Sequence, residues 1–222
     1  MNICICISGL VRTLDECYGT MVSHLINPNP NHNFDLIGIL DTKDNNKIDL
    51  SKYNFKKYII STDDELPNLD YQLEKLHIDL STFPNNYYQL EGMKKVNKLR
   101  LEIEKENNIE YDLIIRTRTD FKFYTSVFLD GIDFNNEIFL PYGNDHRGGY
   151  NDRFAIGNRN LMDQYMNRFD FWVNKQDHIK DYSTHAEVNL KQFLEEKKIN
   201  INRISFGYCL RRNGYDLNEY NI

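Results

Sequence analysis

The pattern of apolar and polar positions alternates between strand and helix periods along the chain. Ile3–Ile7 is a near-continuous apolar run, as expected of a strand covered on both faces. A helix is predicted from Thr13 to Leu25, closed by the turn Asn27-Pro28-Asn29-Pro30. Phe34–Leu40 and Lys57–Ser61 read as the second and third strands. Residues 62–86 are polar, with a weak helical pattern around Leu69, Leu73 and Leu76. The strongest helix is Tyr87–Asn107, with Leu90, Met93, Val96, Leu99 and Ile103 at helical spacing. Tyr111–Thr117 is the fourth strand and Glu137–Pro141 the fifth. A Gly-rich polar loop over Gly143–Gly149 precedes the apolar stretch Phe154–Ile156 and a helix near Asn160–Phe169. A last helix runs from about Ala186 to Lys197, and Ile201–Phe206 is a final strand. Alternating strands and helices predict an open, mostly parallel α/β sheet flanked by helices, with small antiparallel additions in the C-terminal half. No repeat, linker or low-complexity tract divides the chain, so residues 1–222 read as one domain.

In such a sheet every parallel strand delivers its carboxyl end to one edge, where a ligand crevice forms. Those ends are chemically loaded. The first carries Ser8-Gly9-Leu10-Val11-Arg12, the second Asp41-Thr42, and the third Ser61-Thr62-Asp63-Asp64. Ser8-Gly9 allows a close backbone approach to a ligand, Arg12 suits a phosphate, and Asp41 suits ribose hydroxyls. Each element alone reads equally as a turn or a cap; their coincidence at one edge is the signal.

The fourth strand is the most informative. In YDLIIRTRTDFKFY the apolar run Leu113-Ile114-Ile115 leads into Arg116-Thr117-Arg118-Thr119-Asp120. At a period of two, Arg116, Arg118 and Asp120 share one face. Charges carried out of a buried core on one face are costly unless something pairs with them. An anionic ligand or a metal would do so; the plainer alternative is an intra-strand Arg–Asp pair.

Composition narrows the classes. The 222 residues are 41% hydrophobic and 13% aromatic, enough for a sizeable core. The net charge of −6 argues against a general nucleic-acid binder or a binder of anionic membranes, so a phosphate site must be local. There is no 18-residue apolar run, and MNICICISG is too short and uncharged for a signal peptide. Cys4 and Cys6 share a strand face while Cys17 and Cys209 stand apart, which favours free thiols in a reducing, cytoplasmic setting. The phosphate-loop pattern G-x-x-x-x-G-K-[ST] and the dinucleotide pattern G-x-G-x-x-G are both absent.

ICISGLVRT, the long helix with Asn97, YDLIIRTRTDF, NDRFAIGNRNLMDQY, and THAEVNLKQFL with INRI and CLRRNG behind it occur in that order. In this the chain resembles the GT-A-fold glycosyltransferases encoded by large DNA viruses and by bacterial surface-polysaccharide clusters, over Met1 to about Gly214. The resemblance implies a nucleotide-sugar-dependent transferase with a nucleotide-binding half (1–124) and an acceptor-binding half (125–222), in the host cytoplasm if viral. By position, Arg118-Thr119-Asp120 lies where that fold carries its Asp-x-Asp motif, whose carboxylates hold Mn²⁺ or Mg²⁺ on the diphosphate. Only Asp120 remains as a metal ligand. Arg118 stands in place of the first carboxylate and suits direct, bidentate neutralisation of the diphosphate. Arg211-Arg212 would add to that clamp, and Asn97 would contact either the sugar or a backbone carbonyl.

Glycosyl transfer with inversion also needs a base for the acceptor hydroxyl, and a carboxylate is the natural choice. Asp152 follows the Gly148-Gly149 loop, with Tyr150 and Phe154 as an expected sugar-acceptor wall. Glu187 opens the last helix where the fold's acidic catalytic motif falls. Asp152 is the preferred of the two, against the plainer roles of fixing a loop through Arg153 and of favouring a helix N-terminus. The expectation is a transferase moving a sugar from a nucleoside-diphosphate sugar, UDP-sugar foremost, to a glycan or other hydroxyl acceptor. The alternatives are a sugar-phosphate nucleotidyltransferase and a non-catalytic nucleotide- or sugar-binding module.

Overall fold

The computed structural model of the chain describes residues 1–42, 49–61, 84–174, 185–212 and 215–217. Strand β1 (Asn2–Leu10) passes through a 3-10 turn (Val11–Thr13) into α1 (Leu14–Met21), which ends in a π-helical turn (Val22–Ile26). Strands β2 (Asn33–Asp41) and β3 (Phe55–Ser61) follow, then the long α2 (Pro84–Asn107), β4 (Leu113–Arg118) and β5 (Phe121–Phe123). The second half contains β6 (Glu137–Pro141), β7 (Ala155–Asn158), α3 (Arg159–Met166), α4 (Arg168–Asn174) and α5 (Ala186–Lys197). It closes with β8 (Asn200–Ile204), β9 (Tyr208–Arg212) and β10 (Tyr215–Leu217).

Seven strands form one sheet in the order β3-β2-β1-β4-β7-β6-β8, and β10-β9-β5 form a small antiparallel one. The pairs β3-β2, β2-β1, β1-β4 and β6-β8 are parallel; β7 is antiparallel to both its neighbours. The mostly parallel α/β sheet with antiparallel additions is therefore as the alternation predicts. The strand period explains the layers. Ile3, Ile5 and Ile7 face one side of β1 with Leu14, Met21 and Phe121, while Cys4 and Cys6 face the other with Met93, Val96 and Leu190. Helices α2 to α5 cover that second side, and α1 with the small sheet covers the first. All four cysteines are free and buried. Among the described residues no helix is long and apolar enough to cross a membrane.

The differences from the sequence reading are local. The helix expected near Asn160–Phe169 is two, because the backbone at Asn167 (φ −93°, ψ 11°) leaves the helical region. Strands β5, β9 and β10 are short, and their pattern is too brief to separate from loop. The weak helical pattern around Leu69, Leu73 and Leu76 lies outside the described residues.

Helix α2 carries a buried polar stripe among its apolar positions. Arg100 is fully buried; its Nε and one terminal nitrogen each donate to Asn97 Oδ1 at 3.0 Å, and the other terminal nitrogen to Glu104 Oε2 at 2.7 Å. Asp163 of α3 also accepts from Arg100. Glu104 is itself buried and takes the Tyr111 N–H at 3.1 Å and Arg159 Nε at 3.2 Å. Removing one partner of such a network leaves a buried charge uncompensated, at about 3–5 kcal/mol. Arg100→Met is expected to lower stability by that amount, read from urea denaturation midpoints; an unchanged midpoint would show that the network is energetically neutral.

Candidate functional site at the carboxyl edge of the sheet

The strand register brings the loaded ends together. Ser8 is paired with Arg118, Leu10 with Asp41, and Asp41 with Ser61, so β1 to β4 end level with one another. The order reverses between β1 and β4, the place where open α/β sheets bind ligands. Strand β7 runs the opposite way, Arg116 facing Ala155, so the residues just before it, Asp152 and Arg153, reach the same edge. Gly149 then docks helix α5 there: a Cβ at Gly149 would lie 2.2 Å from the Glu187 carbonyl carbon, and the Tyr150 N–H donates to Glu187 O at 2.9 Å.

Ser8 is buried at this edge against Gly92 of α2. Gly9 has φ +137°, and a Cβ there would stand 2.9 Å from Thr119 Oγ1, which donates to Leu10 O at 2.6 Å. The chain's own β4–β5 turn thus passes close to the Gly9 backbone. Asp41 is half-buried at the end of β2, and Arg12 is exposed on the turn after β1. Asn97 lies five residues further along α2 than Gly92, about 7.5 Å at 1.5 Å per residue, inside the Arg100 network. Its Oδ1 serves the core network, while its buried Nδ2 has no hydrogen-bond partner among the described residues.

Arg118 and Asp120 form a bidentate pair: Nε donates to Oδ1 at 2.7 Å and a terminal nitrogen to Oδ2 at 2.9 Å. The other terminal nitrogen donates to Gln89 Oε1 at 2.7 Å. Burial pushes the Asp120 carboxyl up, but the Arg118 charge and hydrogen bonds outweigh it and hold the group below the usual carboxylate range. The plainer intra-strand pair is thus present, yet Asp120 is buried and the pair does not stand alone. Arg212 Nε lies 3.8 Å from Asp120 Oδ2. Burial and the charges of Arg118, Arg153 and Arg12 all pull Arg212 down, against the pull of Asp120. Arg211 was expected in this clamp, but its side chain faces the other way, to Glu16 and, at 3.0 Å, to Asp216. Neighbours on a strand point to opposite faces, so of the expected pair Arg211-Arg212 it is Arg212 that stands near Asp120.

Beneath the pair lies a second layer of charge. Arg116 is fully buried and donates to the Asp152 carbonyl oxygen; burial brings its guanidinium down to about 10, still protonated at neutral pH. Its Nε and one terminal nitrogen, like the Nε of fully buried Arg168, have no hydrogen-bond partner among the described residues. Asp152 accepts from Gln89 and faces Arg168 at 3.9 Å. A terminal nitrogen of Arg153 lies 3.4 Å from His146 Nε2. Glu187 is raised above its ordinary value by burial and by the charge of Asp152, against its own backbone N–H, His185 and Arg153. His185 Nδ1 stands 3.0 Å from a Glu187 oxygen. The two candidate carboxylates are therefore neighbours in one cluster. Phe154, expected in an acceptor wall, is fully buried and stacks on Phe121 instead.

Gln89 and Arg168 are the site residues that sequence reading misses. Both sit on helices far from the strand ends in the chain, and only packing brings them to Asp152. Arg118 engages both Asp120 carboxylate oxygens, and among the described residues no three His, Cys, Asp or Glu side chains gather at one point. What the arrangement suits is an anion, since Arg116, Arg118, Arg153, Arg168 and Arg212 outnumber Asp120, Asp152 and Glu187 in a chain of net charge −6. No curated protein matches the chain. Over residues 1–220 it matches the family model described as a domain of unknown function (DUF7796), and it belongs to that family.

Proposed function

We propose that the chain is a GT-A-like glycosyltransferase that takes a sugar from a nucleoside diphosphate, with arginines in the role a metal has elsewhere. One observation carries this reading: the guanidinium surplus around Asp120, at the switch point between β1 and β4, directly beside the Asp152–Glu187 pair. A diphosphate is the anion best matched to several planar, always-charged donors at once. Arg118 and Arg212, with Arg12 at the rim, neutralise the charge that develops on the leaving diphosphate as the bond to the sugar breaks. Ser8 and Asp41 line the nucleoside side of the same edge. Glu187, holding its proton more tightly than a free carboxylate because of burial and the nearby charge of Asp152, takes the proton of the acceptor hydroxyl. Asp152, pinned by Gln89, is the positioning residue. The sequence-based preference for Asp152 as base is reversed because Asp152 is the deeper and more fully held of the two. The free buried thiols fit work in the cytoplasm.

The intact Arg118–Asp120 pair, with no metal-binding group of carboxylates among the described residues, favours one other reading, a nucleotide-binding module without turnover. Both readings require nucleotide binding, and UDP release from UDP-sugars separates them. The first test is a thermal-shift series with UDP, GDP and TDP in EDTA. A nucleotide at a hundredfold its Kd adds about 2.7 kcal/mol of stability. UDP is expected to raise the melting temperature without metal; no shift from any of the three at millimolar concentration removes the reading.

A further inference from the structure

The β6–β7 loop and the strand end that carries it are built at a cost that core packing does not require. Tyr142 follows β6 directly at the carboxyl edge, tied by its N–H to Ile204 O at 3.1 Å, and the residue is 54% exposed. The Arg203 guanidinium lies 5.6 Å from the centre of the Tyr142 ring and 5.9 Å from that of Tyr150, so it sits between the two rings. Asp145 anchors Arg203 from the loop. In that loop Gly143, Asn144, Arg147 and Gly148 all have φ between +54° and +75°, and two of them are not glycine. Left-handed backbone at such residues costs on the order of 1 kcal/mol and persists where the surroundings fix it. Here Asp145 Oδ1 accepts the Asn151 N–H at 2.9 Å, Asn151 Nδ2 donates to Gly143 O at 2.8 Å, and Asn144 Nδ2 to Tyr208 OH at 2.8 Å. A fixed, strained loop beside an open aromatic ring is the mark of a binding wall.

Its position says what it binds. The wall joins the Asp152–Glu187 cluster, because the Tyr150 N–H is bonded to Glu187 O and the His146 and His185 rings stand 6.5 Å apart. It is set off from the Arg118–Asp120 pair: β6 is two strands from β4, about 10 Å at the usual strand spacing, and Arg153, 3.4 Å from His146, stands between the two. A pyranose ring has an apolar C–H face and a rim of hydroxyls. The electron-rich face of Tyr142 takes the first, and exposed His146 and Arg147 stand beside it for the second. We infer that Tyr142, backed by Arg203 and Tyr150, is the platform of an acceptor subsite, and that the acceptor is a glycan whose reacting end stacks on it. The inference rests on the glycosyltransferase reading and names its acceptor class.

The test is a glycan array of defined oligosaccharides probed with labelled protein, with and without UDP, for wild type, Tyr142→Ala and Tyr142→Phe. Tyr142 is exposed, so neither change disturbs the core. Wild type and Tyr142→Phe are expected to bind the same glycans, with Tyr142→Ala weaker by tenfold or more, and with the UDP thermal shift equal in all three. Equal glycan binding by Tyr142→Ala, or no glycan bound by wild type in either condition, overturns the subsite. Glycan binding that depends on Tyr142 without any UDP shift leaves the subsite standing and removes the nucleotide reading.

Discussion

Arg118→Ala is expected to remove most of the affinity for UDP and to lower donor turnover by about 10²–10³, the usual cost of deleting a charged donor aimed at developing charge. The variant loses a guanidinium that presents three donors at one point, two to Asp120 and one to Gln89. It also leaves Asp120 buried with Arg212, at 3.8 Å, as its remaining ion-pair partner among the described residues, so its own stability must be measured alongside. Arg212→Ala provides the control, because Arg212 is half-exposed and its removal leaves the Arg118–Asp120 pair intact. About a tenfold loss of UDP affinity is expected there, with the melting temperature of the free protein unchanged. Full affinity in both variants would show that the arginines serve only the fold. Asp120→Asn separates the arginine account from a metal account: UDP affinity that survives the change, in EDTA as in Mn²⁺, is what the arginine account requires.

Glu187→Gln is expected to reduce turnover by about 10²–10⁴ while leaving UDP binding in place, as for loss of a general base. The pH profile gives the sharper readout. Burial and Asp152 raise the Glu187 carboxyl, so the acid limb of wild-type turnover should lie above the ordinary glutamate value of about 4.3 and vanish in the variant. The linkage to stability has the same origin. A group whose pKa is raised on folding contributes stability that is present below its unfolded pKa and is lost as pH rises through the folded value. At neutral pH the Glu187 charge therefore opposes folding, and Glu187→Gln should unfold at a higher temperature than wild type while turning over more slowly. Asp152→Asn should behave differently, with a smaller loss of turnover and an acid limb moved toward the ordinary glutamate value, because the charge that raises Glu187 is gone. If Asp152→Asn loses turnover and Glu187→Gln does not, the roles are exchanged.

The sheet was legible because its strands are buried on both faces and carry continuous apolar runs, Ile3–Ile7 and Leu113-Ile114-Ile115 above all. The edge was legible for the same reason: once β1, β2 and β4 are parallel, Ser8, Asp41 and Arg118 must end level. What was not legible depended on side-chain direction and on packing between distant elements. Which of Arg211 and Arg212 reaches Asp120 turns on which face of β9 looks at it, and Tyr208-Cys209-Leu210, all buried, show no alternation that would fix that phase. Asn97 gave the same helical spacing as a ligand-facing amide, but its partner Arg100 is a buried arginine, which composition makes improbable in advance. Gly9 signalled a close approach, and Thr119 makes one, but a glycine records that backbone must pass and not what passes it. The neighbourhood of Asp152 and Glu187, 35 residues apart in the chain, came only from the docking of Gly149 on α5.

The measurement that bears most directly on the account is a crystal structure of the protein with UDP, grown without divalent cations. The account predicts the diphosphate at the carboxyl edge between β1 and β4, its oxygens within about 2.7–3.1 Å of Arg118 and Arg212 nitrogens, with the open side of the Asp152–Glu187 pair facing the β-phosphate. UDP bound elsewhere on the molecule, or a diphosphate that touches neither arginine, would contradict it.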